Sequence, residues 1–118
     1  MLVWLYAGEM RHIPMGARRR LEHDRLAISP MVALELAYLH EAGRLTVAGH
    51  ELVAALAPAL DLRTAVTPFA AVVQEAVGLS WTRDPFDRLI TAQAAVEGTV
   101  LLTADESIRA HAPHALWE

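Results

Sequence analysis

A chain of 118 residues is of single-domain size and long enough to close one hydrophobic core. Its 54% hydrophobic and 20% charged residues exclude a disordered chain and leave apolar surface over for a partner. The net charge of -4 advertises no nucleic-acid binder, although a basic patch can be local, and the lack of cysteine excludes disulfides and thiolate chemistry.

No apolar run reaches the roughly 18 to 20 residues of a membrane helix, and the opening Met1–Gly8 has no basic residue ahead of it as a signal peptide would. The expectation is a soluble cytoplasmic protein with no membrane partner.

In chain order, Met1 to Tyr6 is apolar and stops at Gly8, as the tail of a helix begun earlier. Pro14 to Asp24 predicts a basic amphipathic helix. Leu26-Ala27-Ile28 predicts a short strand, and Ser29-Pro30 an N-cap with proline at the first helical position, opening a helix that runs to Gly43. His50 to Leu60 reads as a helix, Leu62 to Val66 as a strand, and Thr67-Pro68 as the start of a helix to about Leu79. After the loop 80–83, Asp84-Pro85 opens a helix ending near Gly98. Thr99 to Thr103 has the composition of a buried parallel strand; a short helix from Ala104 to about His111 and a last strand at Ala115-Leu116-Trp117 follow. Short strands separated by helices imply right-handed crossovers and a parallel sheet flanked by helices, an α/β sandwich forming a single domain over 1–118.

Three acidic positions stand out. At about 100° per residue, Glu35 falls inside the apolar arc formed by Met31, Val32, Leu36, Tyr38 and Leu39, where a carboxylate is costly without a cation or a metal. A partly solvated margin or an arginine partner also accounts for it. Asp84 reads as an N-cap, which explains it fully, and Asp87 lies in the first helical turn, which a helix dipole favours anyway. Asp105 closes a strand in Thr103-Ala104-Asp105 and is equally a helix cap. Taken singly, none is specific. Together they sit near the carboxyl ends of strands, where α/β sheets place ligands. Such a like-charge cluster calls for a hard cation, Mg²⁺ or Mn²⁺, able to support attack on a phosphodiester.

The run Asp84-Pro85-Phe86-Asp87-Arg88-Leu89-Ile90-Thr91-Ala92-Gln93-Ala94, followed by Glu97-Gly98 and Leu101-Leu102-Thr103-Ala104-Asp105, closely resembles the signature of the PIN-domain family, in particular its VapC-type toxin ribonucleases. Ile28-Ser29 with Ala33-Leu34-Glu35-Leu36-Ala37 and Gly43-Arg44-Leu45 resembles the second motif of that family, and Ala115-Leu116-Trp117 its last strand. The resemblance covers essentially the whole chain and implies a PIN-like three-layer sandwich. It further implies a Mg²⁺- or Mn²⁺-dependent endoribonuclease, an RNA substrate, a cognate antitoxin and a homodimer. By matching position, Glu35, Asp87 and Asp105 would be catalytic metal ligands, Asp84 an accessory metal ligand, and Thr103 a hydroxyl beside the last acid. The family's first acid lies in an opening strand ahead of a segment resembling Leu2–Glu9. The chain begins inside that segment, so the first strand and its aspartate are expected to be missing, and neither Glu9 nor Asp24 is placed to substitute. A start assigned too late and a truncated product both account for this.

Arg83 and Arg88 flank the acids and are candidates to hold a scissile phosphate, although Arg88 can also pair with Asp84 at i,i+4. Arg18-Arg19-Arg20 with Arg25 reads as a solvated helix face or as a contact for RNA phosphates. His111 and His114, with Pro113 between them, make a poor zinc site, and Trp4, Trp81 and Trp117 read as core or interface. The alternative to an active toxin is a catalytically impaired PIN domain that serves only to bind an antitoxin or to oligomerise. A third reading, an unrelated α/β phosphatase or receiver-like fold, finds no nucleophile-strand motif.

Overall fold

Helix starts and stops are written into this chain by a few polar and glycine residues, and the computed structural model, which describes residues 1–118, places them accordingly. The elements in order are α1 Leu2–Ala7, a 3-10 turn Met10–His12, α2 Met15–His23, β1 Ala27–Ile28, α3 Pro30–Glu41 and α4 Gly49–Leu60. They continue with β2 Arg63–Thr64, α5 Phe69–Val77, α6 Pro85–Glu97, β3 Leu101–Leu102, α7 Glu106–His111 and β4 Ala115–Leu116. The mixed α/β character and the parallel strand pairing agree with the sequence expectation.

Two compact units divide the chain, Met1–Ala65 with Glu118, and Val66–Trp117. In the first, a core of Leu2, Leu36, Leu45, Leu52 and Leu56 gathers α1, α3 and α4, with Ile28, Val32 and Leu39 packed against it. Ser29 caps α3 by accepting from Met31 N at 3.2 Å, and Pro30 occupies the position where a missing N–H costs nothing. The α3–α4 approach is close. A Cβ built on Gly49 would lie 2.7 Å from the Leu36 Cβ and 3.1 Å from its carbonyl carbon, so only glycine fits there. Tyr38, expected on the apolar arc of α3, is 54% exposed, because the packed face of the helix runs through Leu36 instead.

The arginine run does not form one patch. Arg18 donates from Nε to the Ile13 carbonyl at 2.7 Å and from Nη2 to the Met10 carbonyl, tying α2 to the 3-10 turn. Arg20 pairs with Asp24 at 3.5 Å, and Arg19 and Arg25 are exposed.

In the second unit, α5 and α6 meet through small side chains: Val72, Ala76 and Ala92 are buried, with Leu79 and Leu89 packed against them. Gly98, in the left-handed region at φ 66, stops α6, as the sequence predicts. His114 Nε2 donates to the Thr91 carbonyl at 3.1 Å, fastening the start of β4 to the middle of α6.

The strands are shorter than the sequence predicts. β1 pairs with β2 in parallel, Ala27 opposite Arg63 and Ile28 opposite Thr64. β3 pairs with β4 in parallel, Leu101 opposite Ala115 and Leu102 opposite Leu116. These are two separate two-stranded ladders. A strand with one partner has hydrogen bonds on one side only, and here they extend just beyond the paired residues, from Arg63 N to the Leu26 carbonyl and from Thr103 N to the Leu116 carbonyl.

Candidate functional site

Two corners of the second unit are built in the same way. At the first, Thr82 Oγ1 accepts from Asp84 N at 3.2 Å, and Asp84 Oδ1 then accepts from Phe86 N at 2.8 Å and Asp87 N at 3.2 Å, capping α6. At the second, Thr103 Oγ1 accepts from Asp105 N at 3.1 Å, and Asp105 Oδ1 accepts from Ile108 N at 2.9 Å, capping α7. Each is a Thr-x-Asp step in which a hydroxyl turns the backbone and the carboxylate satisfies orphan amides of the next helix. The sequence singles out the Thr103 hydroxyl beside Asp105, and the structure shows it accepting from Asp105 N. Its counterpart Thr82 was missed, although the repeated Thr-x-Asp spacing could have found it.

Asp87 lies in the first turn of α6 and is half-buried, whereas Asp84 and Asp105 are exposed. Burial, then the charge of Asp84, then that of Asp105 push the Asp87 carboxyl up to about 6. A helix N-terminus alone would hold it down. Desolvation and two like charges therefore outweigh the dipole, and the three acids form one electrostatic set.

The set fits a hard divalent cation in donor type, with carboxylate oxygens and neighbouring hydroxyls, and in its unrelieved repulsion. Each exposed acid uses one oxygen as a cap and keeps the other. No three carboxylate or imidazole groups, however, converge on a single point.

Arg88 is anchored. Its Nε donates to the Ala76 carbonyl at 3.1 Å and its Nη2 to the Val77 carbonyl at 3.0 Å, closing the C-terminal end of α5 rather than pairing with Asp84. Arg83 is exposed in the loop between the two helices. Glu35 belongs to the first unit, half-buried on α3 beside buried Leu36. Its charge bears on the α-amino group of Met1, whose pKa burial lowers and Glu35 partly restores.

Comparison with known proteins shows the family. The PIN domain family model matches residues 2–112, a span that includes both corners and Glu35. The chain is 34% identical over 112 residues to Ribonuclease VapC22 of Mycobacterium tuberculosis, an alignment covering 93% of this chain and 86% of that protein. No solved structure matches significantly. With its Asp-Pro-Phe-Asp-Arg corner, its Thr-x-Asp corner and this likeness over nearly its full length, the chain belongs to the PIN-domain family and is of the VapC type.

Proposed function

We propose that the protein is a divalent-metal-dependent endoribonuclease, the toxin of a toxin–antitoxin pair. The observation that carries this reading is the acid set at the two corners, in which burial, then the charges of Asp84 and Asp105, push the Asp87 carboxyl up to about 6 in a chain of the PIN family. The ribonuclease name of the Mycobacterium relative supports RNA as the substrate.

Asp84, Asp87 and Asp105 would hold Mg²⁺ or Mn²⁺; Glu35 is a ligand candidate on the motif match alone. The ion, when bound, supplies Lewis acidity toward a phosphodiester and charge that offsets the carboxylates. Asp87 sheds its proton above about 6 and so becomes a ligand at neutral pH. Thr103 uses its oxygen to accept from Asp105 N, which leaves its O–H free to donate to a substrate oxygen. Arg83, exposed next to the acid corner, offers a planar fork of donors for a phosphate. Arg88 serves the same region by fixing α5 against α6, which commits two of its five guanidinium N–H donors to the α5 carbonyls.

A second reading, a module without activity that binds an antitoxin or a second copy of itself, draws on two observations. No three acidic or imidazole groups converge, and Phe69, Val73 and Val77 form an exposed apolar stripe on α5. The two readings part on one experiment: the purified chain is incubated with structured RNA and Mg²⁺ or Mn²⁺, beside Asp87→Asn. Metal-dependent cleavage that Asp87→Asn abolishes without unfolding establishes the enzyme. Folded wild-type protein that cuts no RNA with either ion establishes the module.

A further inference from the structure

Trp81 and His111 lie outside the acid set, yet they join its two corners. Trp81 immediately precedes the Thr82-Arg83-Asp84 step, and His111 is the last residue of α7, whose first turn is capped by Asp105. The two rings are parallel, with an interplanar angle of 1° and centroids 5.0 Å apart, which is an offset stack. The indole Nε1 of Trp81 is buried and has no hydrogen-bond partner, so no polar contact of that nitrogen fixes the ring. His111 Nδ1 donates to the Ser107 carbonyl at 2.9 Å, a bond within its own helix that sets the tautomer and the ring orientation without reaching the α6 corner. The stack therefore reaches from the last turn of a short helix back to the loop that carries the other corner.

We propose that the Trp81–His111 stack is a positioning contact that locks the α7 corner bearing Asp105 against the α6 corner bearing Asp84 and Asp87. This rests on the proposed metal-nuclease function only for its consequence, since the contact itself is geometric. A six-residue helix is too short to hold its own orientation without packing, and Ile108 is its one buried side chain. The stack supplies a second point of attachment at the opposite end of the helix from Asp105. Two fixed points define the direction of a short rod where one does not.

The test uses the full chain with His111→Ala, which removes the stack, and His111→Phe, which keeps a flat ring but loses the bond to Ser107. Amide hydrogen exchange at Ile108, whose N–H donates to Asp105, and Mn²⁺ affinity are read on both variants and on the wild type. The expected result is an Ile108 amide that exchanges faster and a Mn²⁺ affinity about tenfold weaker in His111→Ala, as for other outer partners of metal ligands, with both restored in His111→Phe. An unchanged His111→Ala overturns the proposal. So does a His111→Phe as impaired as His111→Ala, which would assign the effect to the Ser107 bond. Wild-type protein that binds no Mn²⁺, while Ile108 exchange still follows loss and recovery of the ring, contradicts the metal reading and upholds the stack.

Discussion

Asp84 both builds and perturbs Asp87: one of its oxygens accepts from the Asp87 amide at 3.2 Å, while its charge helps raise the Asp87 carboxyl to about 6. The two roles separate by substitution. Asp84→Asn keeps an oxygen for capping and removes the charge, so it should cost little stability and lower the Asp87 pKa. Asp84→Ala removes both and should cost about 1 kcal/mol in urea unfolding. Equal stability of the two variants would show that the cap contributes nothing.

Asp87 also sets a pH dependence. Its folded pKa is raised above the ordinary 3.8, so the unfolded chain releases that proton first as pH rises. The stability associated with protonated Asp87 is fully present below about 4 and is lost as pH climbs through about 6, on the order of 1 kcal/mol after screening at a partly solvated site. Urea midpoints measured from pH 4 to 7 should fall in the wild type across this window without added metal, and the decline should be smaller in Asp87→Asn. Divalent metal should reverse the trend, because it binds the carboxylate form.

Arg88 gives a prediction that distinguishes anchoring from substrate contact. With Nε and Nη2 donated to the last carbonyls of α5, Arg88→Met should lower stability by about 1 kcal/mol through the two lost hydrogen bonds, which lie in a partly solvated place. Arg83→Met should leave the melting temperature unchanged and raise KM for RNA. A stable Arg88→Met with a raised KM would reverse the two assignments.

Gly49→Ala probes the core of the first unit. The added methyl would meet Leu36 Cβ at 2.7 Å and the Ala37 backbone nitrogen at 3.2 Å, and backbone cannot step aside as a side-chain tip does. The expected loss is about 1 to 3 kcal/mol in thermal or urea unfolding. A variant as stable as the wild type would mean that α3 and α4 approach less closely.

Much of the local structure was legible because it rests on short-range chemistry. Ser29-Pro30 and Asp84-Pro85 open α3 and α6 where the sequence puts them, since a side-chain oxygen two residues from an amide acts without tertiary help. The strands were less legible. Composition marks Leu62–Val66 and Thr99–Thr103 as extended, but pairing depends on a distant partner, and only Arg63–Thr64 and Leu101–Leu102 form ladders. At the site, Asp84, Asp87 and Asp105 were visible as acids at helix starts and strand ends. The Trp81–His111 stack was not, because 30 residues separate the rings and no periodicity links them. The role of Arg88 was missed for the same reason: its partners are carbonyls at the end of the preceding helix, on which sequence leaves no mark.

The most direct test of the acid set is calorimetric titration of Mn²⁺ into the wild-type chain, Asp87→Asn and Asp105→Asn near pH 7.5. The account predicts saturable binding by the wild type, weakened at least about tenfold in each variant while its circular dichroism is retained. Wild-type affinity in both variants, or no binding by folded wild-type protein, would contradict it.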